Sequence, residues 1–311
     1  MDRPVGGWLE LSATVGSEAV EAVSEIFARV ATGITVEAAF VSTDEGLGAR
    51  LDPTRPAVVR AYLDAGDATA TEAAVTRTET ALGHLQAFGL GPIGELQRRA
   101  FAPTDWAASW KQHFPLLRIG RRIVIRPAWR RHRRRPGDVV LALDPGQAFG
   151  TGLHPTTRLC LEGVERLAEA GSLDGARVLD VGCGSGILAL AAAGFGARRV
   201  LGLDTDPLAV EATRRNARRN RCARRVRARL GSLPVPDGPY DVVLANLIGS
   251  LLIALSEPLR EAMRPGGRLV AGGIFADRER DVRRALRAAG LRPTGRLTEG
   301  EWVTLEVERP A

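Results

Sequence analysis

The chain has 311 residues, 45% of them hydrophobic and 25% charged, which is length and apolar content enough for two globular domains. No apolar run approaches the roughly 20 residues that cross a bilayer, and the first residues, MDRPVGGWLELS, lack the basic and apolar regions of a secretory signal, so the expectation is a soluble cytoplasmic protein. Its three cysteines, Cys160, Cys183 and Cys222, form neither a disulfide framework nor a zinc spacing, and a net charge of +7 excludes nothing by itself.

The first hundred residues alternate strand and helix patterns. WLELSATV (8–15) reads as a strand and SEAVEAVSEIFARVA (17–31) as an amphipathic helix, with Ser17 at its N-cap and Gly33 at its stop. GITVEAAFV (33–41) and PAVVRAYL (56–63) read as strands, TEAAVTRTETALGHLQAFG (71–89) as a helix, and IGELQRRAF (93–101) as a final strand. The order β-α-β-β-α-β predicts a small ferredoxin-like α+β domain over 1–102. Between 103 and 137 the pattern changes. Trp106, Trp110, Phe114 and Trp129 cluster among prolines there, which suits a linker packed onto the domain that follows.

From 138 onward strands and helices alternate. RVLDVG (177–182), RRVLGLD (198–204), VRARL (226–230), YDVVLAN (240–246), GRLVAGGI (267–274) and WVTLEVE (302–308) read as strands. SGILALAAAGFG (185–196), DPLAVEATRRNARRN (206–220), SLLIALSEPLREAM (250–263) and ADRERDVRRALRAAG (276–290) read as helices. Near-continuous apolar strands alternating with helices predict a mostly parallel, doubly wound α/β sheet over 138–311.

The positive charge is nearly all arginine, because Lys111 is the only lysine. Arginines crowd 118–135 (RIGRRIVIRPAWRRHRRR) and 214–229 (RRNARRNRCARRVRAR). Such stretches either decorate solvated surfaces or meet an anionic partner such as RNA.

The strongest chemical signal is LDVGCGSGILAL (179–190), a buried strand running through Gly182, Gly184 and Gly186 into a helix. Glycines allow a tight turn and close ligand approach, and the helix start offers free N–H groups. Dinucleotide enzymes share this geometry. Asp180, however, stands two residues before the first glycine, where a carboxylate repels a pyrophosphate but can order a loop facing an ammonium group. Asp204 ends the next strand about twenty residues on, the position of an acid that binds a ribose diol. Asp206 reads as the N-cap of the following helix, with Pro207 at its first position. Asn246 ends YDVVLAN at the ligand-binding edge of the sheet. Its amide can aim an amine at an electrophilic carbon, or it is a strand-end turn residue. In LDPGQAFGTGLHPTTRLCLEGV (143–164), Thr156 and Thr157 lie near a helix start, and His154 is either a base or, more simply, a residue that caps or orients the loop.

With these segments in hand, the sequence resembles the ribosomal protein L11 methyltransferase family. The matching stretches are DWAASWKQHF (105–114), DPGQAFGTGLHPTT (144–157), LDVGCGSGILALAA (179–192), LGLDTDPLAVEATRRNARRN (201–220) and DVVLANLIG (241–249). The resemblance implies a class I methyltransferase with a seven-stranded sheet, S-adenosylmethionine as cofactor and an N-terminal domain that recognises the substrate. It carries cofactor positions onto Thr157, Gly182, Asp204 and Asn246. The turn around Phe149, Gly150, Thr151 and Gly152 belongs to the same expected cofactor loop, with Asp180 and Gly184, and Asn246 is the expected catalytic residue. The implied reaction methylates lysine side chains and an N-terminal amine of a ribosomal protein. Apart from the resemblance, a monomer is the default expectation, the arginine stretches leave open a transient ribosomal RNA contact, and no metal or membrane is expected. The competing expectation is an RNA methyltransferase, against which Asn246 is followed by Leu-Ile-Gly rather than Pro-Pro-aromatic. A non-catalytic module that kept the fold and an NAD-dependent oxidoreductase fit the glycine, Asp and Asn positions less well.

Overall fold

The computed structural model describes residues 8–16, 19–31, 33–37, 40–44, 48–51, 55–87, 92–101, 116–127, 130–143, 152 and 154–311. The chain falls into two compact units that divide between Leu116 and Leu117.

In the first unit, strands β1 (Trp8–Val15), β2 (Gly33–Glu37), β5 (Ala57–Asp64) and β6 (Gln97–Phe101) form an antiparallel sheet in the order β2–β5–β1–β6. Helices α1 (Val20–Ala28) and α2 (Ala68–Ala87) complete the ferredoxin-like arrangement. Alternation along β1 buries Leu11, Ala13 and Val15, and these pack with Val23 and Phe27 of α1 and Val75 and Leu82 of α2. Three expectations shift. The run 33–41 is two elements, because β3 (Phe40–Asp44) leaves the main sheet to pair with β4 (Gly48–Leu51). Gly33 opens β2 rather than stopping α1, whose C-cap is Arg29. Within 93–101 only Gln97–Phe101 is a strand, while Ile93 makes a lone bridge to Val15. The proposed cap Ser17 lies outside the described residues.

The second unit holds a seven-stranded sheet in the order β12–β11–β10–β13–β14–β16–β15. Its strands are β10 (Arg177–Val181), β11 (Arg199–Asp204), β12 (Val226–Leu230), β13 (Tyr240–Asn246), β14 (Met263–Phe275), β15 (Arg292–Glu299) and β16 (Trp302–Glu308). β12, β11, β10, β13 and β14 pair in parallel and β16 is antiparallel to both neighbours. Helices α3 (Pro155–Glu169), α4 (Ile187–Gly194), α5 (Pro207–Arg219), α6 (Gly249–Ala254), α7 (Ser256–Ala262) and α8 (Glu279–Ala288) connect or cover it. Asp206 caps α5 by accepting from the Leu208 N–H at 2.8 Å, with Pro207 at the first helical position.

The run 250–263 is broken at Leu255 into α6 and α7. Pro258 has no N–H to donate, and the restart at Ser256 puts it in a first turn, where none is needed. β15 has no counterpart among the strands read from the sequence. Its alternate residues are exposed and it carries Pro293 and Gly295, so it shows little apolar pattern. Ahead of the large sheet, β7 (Leu117–Ile119) and β8 (Ile123–Pro127), inside the span expected to be linker, make a three-stranded sheet with β9 (Val139–Leu143) just beyond it. Asn220, at the end of α5, fastens it by donating to the Ala142 carbonyl at 2.7 Å and accepting from the Ala142 N–H at 2.8 Å. The aromatic cluster Trp106, Trp110, Phe114 and Trp129 lies outside the described residues.

Candidate cofactor and transfer site

β10 ends in the glycine turn because three of its residues hold φ values that only glycine adopts cheaply: Gly182 at +72°, Gly184 at +53° and Gly186 at +80°. Two neighbours forbid a side chain there. A Cβ on Gly182 would stand 2.6 Å from Leu247 Cδ2, and one on Gly186 2.8 Å from Thr213 Oγ1. α5 clamps the turn from behind, since Thr213 donates to the Gly184 carbonyl at 2.9 Å and Asn216 to the Ser185 carbonyl at 2.9 Å. Thr213 and Asn216 were not singled out from the sequence. Their signal is a polar stripe, Thr213, Asn216 and Asn220, at helical spacing along an otherwise arginine-rich run.

Asp204 lies at the end of β11, next to β10 in the sheet. One carboxylate oxygen accepts from the Gly184 N–H at 2.9 Å and the other from the Asp206 N–H at 3.0 Å. The carboxylate is half-buried and fixed, and each oxygen keeps a lone pair for a ligand hydroxyl.

Asp180 is buried below the turn. One oxygen accepts from the Ala189 N–H at 3.1 Å, and the other has no hydrogen-bond partner. Burial pushes its carboxyl up to about 7, helped by the nearby Asp204 charge and opposed by the Ala189 N–H. Thr157, in the first turn of α3, is also fully buried with an unpartnered hydroxyl. Buried polar atoms without partners are rare and costly. Asp180 is one, near a left-handed glycine turn and a fixed acid at the C-terminal edge of a parallel sheet, and Thr157 at the start of α3 is another; a polar ligand with ribose hydroxyls and a charged group would satisfy such atoms. The residues present therefore fit S-adenosylmethionine.

Asn246 ends β13 at the same edge, half-buried, opposite Gly272 of β14. A Cβ on Gly272 would stand 3.4 Å from Asn246 Oδ1 and would collide with Cys160 Sγ, so the glycine keeps the amide's flank open. Ile248 and Leu251, just beyond, are exposed apolar side chains. Gly152 lies between β8 and the start of α4, because a Cβ on it would collide with Ile125 Cδ1 and stand 3.5 Å from Ile187 Cδ1. Phe149, Gly150 and Thr151 lie outside the described residues.

His154 caps α3. Its Nδ1 accepts from the Thr156 N–H at 3.3 Å and is 2.8 Å from the Thr156 hydroxyl, and the ring packs edge-on against Trp302. Burial, with the Arg158 charge, pulls its pKa down to about 3, so it is a neutral structural residue at neutral pH. Cys183 is equally unsuited to nucleophilic work, since burial and then the Asp180 charge push its thiol up to about 12. No group of metal-ligating side chains occurs among the described residues, and no described helix is long and apolar enough to cross a membrane.

Comparison with known proteins agrees with this geometry. The family described as ribosomal protein L11 methyltransferase (PrmA) matches residues 7–310. Ribosomal protein L11 methyltransferases of Chloroflexus aurantiacus and Herpetosiphon aurantiacus are 43% and 42% identical. Each alignment spans 97% of this chain, and 98% and 99% of the relative. A solved ribosomal protein L11 methylase from Lactobacillus delbrueckii subsp. bulgaricus superposes with a TM-score of 0.59 at 29% identity, over 64% of this chain and all of that one.

Proposed function

The chain belongs to the ribosomal protein L11 methyltransferase family, and on that premise we propose that it transfers methyl groups from S-adenosylmethionine to lysine side chains and an N-terminal amine of ribosomal protein L11. The observation that carries the cofactor half of this reading is the Asp204 carboxylate locked to the Gly184 N–H at the sheet edge.

S-adenosylmethionine supplies, when bound, a methyl carbon made electrophilic by its sulfonium sulfur. The chain's own work is binding and aim. Asp204 accepts ribose hydroxyls, while the Gly182–Gly186 turn gives the ligand close backbone approach. Asp180 and Thr157 offer buried polar atoms to its amino-acid end. Phe149, Gly150, Thr151 and Gly152 are assigned to the same cofactor. Asn246 accepts a hydrogen from the incoming amine and fixes its direction. Only a neutral amine attacks, and a lysine amine has a reference pKa near 10.4. His154 is held neutral with its Nδ1 on Thr156, so the amine's proton leaves to water and catalysis rests on desolvation and positioning. Ile248 and Leu251 give the mouth an apolar rim for the target.

We assign substrate recognition to the ferredoxin-like unit and transfer to the larger one, in a cytoplasmic monomer. The test is incubation of the purified chain with radiolabelled S-adenosylmethionine and unmodified L11, followed by intact mass. Mass gains in single-methyl steps support the reading. Cofactor binding without any labelled L11 would refute its substrate.

A further inference from the structure

The parallel strands have two ends with different chemistry. Asp180, Asp204 and Asn246 mark the C-terminal ends, whereas Arg177, Arg199, Arg227 and Tyr240 stand at or next to the N-terminal ends of β10, β11, β12 and β13. At that second end lies an open groove of about 360 Å³, lined by Arg177, Arg199, Arg224, Arg225 and Arg227 around Tyr240.

The groove's charge is not internally neutralised. Its carboxylate, Asp237, is taken by Arg229 at 3.1 Å. Arg177 donates to the carbonyl oxygens of Pro239 and Asp237 and Arg225 to that of Ala193, so both are held in place by neutral acceptors. The side chains of Arg199, Arg224 and Arg227 have no ion pair or hydrogen bond among the described residues. Elsewhere in this unit arginines are commonly committed to carboxylates, as Arg264, Arg268, Arg283, Arg292 and Arg296 are. The register aligns the groove's arginines: Arg177 pairs with Arg199, and Leu201, two residues on, pairs with Arg227. Three neighbouring strands thus carry guanidinium groups on one face at a strand spacing of about 4.8 Å.

The second arginine stretch reaches the same end. Burial alone would raise the Asp138 carboxyl, but Arg118, the Arg135 N–H and His132 hold it below the usual carboxylate range and tie the loop 130–138 down. The next residue, Val139, lies against Gly194, and Arg122 stacks on Phe195 at 5.1 Å. Residues 193–195 also receive Arg225. The loop carrying Arg131, Arg133 and Arg134, exposed and with side chains unpartnered among the described residues, therefore leads into the same end of the sheet. Two stretches far apart in sequence bring arginines to that end.

We propose that this face docks the phosphate backbone of ribosomal RNA while the opposite end of the sheet methylates the protein substrate. Guanidinium forks match phosphate oxygens in pairs, and an extended face served by three strands and a loop suits a polyanion rather than a single anion. The intervening strands, at about 3.3 Å per residue, separate the face from Asn246 by roughly 16–23 Å, so RNA held there is a docking partner and not the methyl acceptor. The choice of RNA rests on the reading that the substrate is a ribosomal protein.

The test is fluorescence anisotropy of the full chain with a labelled RNA hairpin from 50 to 200 mM salt, comparing the wild type with the triple variant Arg199→Gln, Arg224→Gln, Arg227→Gln. The wild type binds with a steep salt dependence. The variant binds at least tenfold more weakly with a log–log slope smaller by about 2–3, yet it methylates free L11 at the wild-type rate, which also shows that it is folded. An unchanged affinity and slope in the variant overturns the proposal. So does equal competition by polyglutamate, which would point to an acidic protein partner, or methyl label appearing in the RNA. Failure of both proteins to methylate free L11 counts against the substrate reading, while the RNA comparison still decides the docking face.

Discussion

The Asp204 carboxylate accepts a hydrogen bond from the backbone N–H of Gly184 at 2.9 Å. That bond ties the acid ending β11 to the turn ending β10, and it makes the acid part of the turn's own architecture. On the proposed reading, removing the carboxylate costs the site twice, as a partner for the ribose and as the anchor of a left-handed glycine. Asp204→Ala is expected to weaken S-adenosylmethionine binding at least ~100-fold by calorimetry, which is ~2.7 kcal/mol and within the range of charge-assisted hydrogen bonds. A variant with wild-type affinity would remove Asp204 from the site.

Asp180 predicts a pH dependence of stability. Its folded value of about 7 lies above the ordinary 3.8, so the folded chain binds a proton that the unfolded chain releases between those values. Stability of the ligand-free protein is therefore expected to fall as pH rises from about 4 to about 7, by up to ~1.4 kcal/mol per pH unit from this group. Asp180→Asn should flatten that slope in denaturant titrations at pH 4.5, 5.5 and 6.5. Parallel curves for the two proteins would place the carboxyl's titration elsewhere.

Asn246 is expected to act on turnover rather than on cofactor affinity. Asn246→Ala should lower kcat by about 10²–10³-fold, as loss of one positioning or charge-stabilising group does, with cofactor affinity within about threefold of wild type. Normal kcat in steady-state methylation of L11 would return Asn246 to the role of a strand-end residue.

Gly186 combines a φ of +80° with a Cβ position 2.8 Å from the buried Thr213. Gly186→Ala should destabilise the second unit by ~2–3 kcal/mol through strain and crowding, seen as a lowered denaturation midpoint. Adding Thr213→Ser, which removes the crowding methyl, should recover part of the loss. No recovery would mean that backbone strain and the retained Oγ1 contact set the cost.

His154 is expected to matter for stability and not for proton transfer. His154→Ala should cost about 1 kcal/mol, the ordinary worth of an N-cap, whereas His154→Asn should retain the cap. Both variants should keep the wild-type pH–rate profile between pH 6 and 9. A lost inflection in either one would make the imidazole a base after all.

Much of the proposed transfer site is legible without coordinates because its parts are local. Gly182, Gly184 and Gly186 follow an apolar strand directly, and Asp204 and Asn246 each close a strand whose pattern is unmistakable. Asp206 and Pro207 declare a helix start in two letters. The clamp on the turn is less visible, since Thr213 and Asn216 sit within an arginine run and their meaning depends on which way α5 faces. β15 escaped for a similar reason. As an edge strand it has only β16 for a neighbour and half its side chains in water, so it carries little of the apolar signal that marks the central strands.

The sequence by itself determined the parallel α/β unit and the ferredoxin-like unit, and it put Asp204 and Asn246 at strand ends beside a glycine turn, because periodicity, capping and glycine turns act over a few residues. Only the tertiary structure decided what lies far apart in the chain and close in space. It left Asp180 and Thr157 buried with unpartnered atoms, turned His154 into a neutral cap, and drew two strands of a small sheet from residues that read as linker. It also gathered Arg177, Arg199, Arg224 and Arg227 at the end of the sheet opposite Asn246. Burial and charge pairing are properties of neighbours brought together by packing, and no local pattern specifies them.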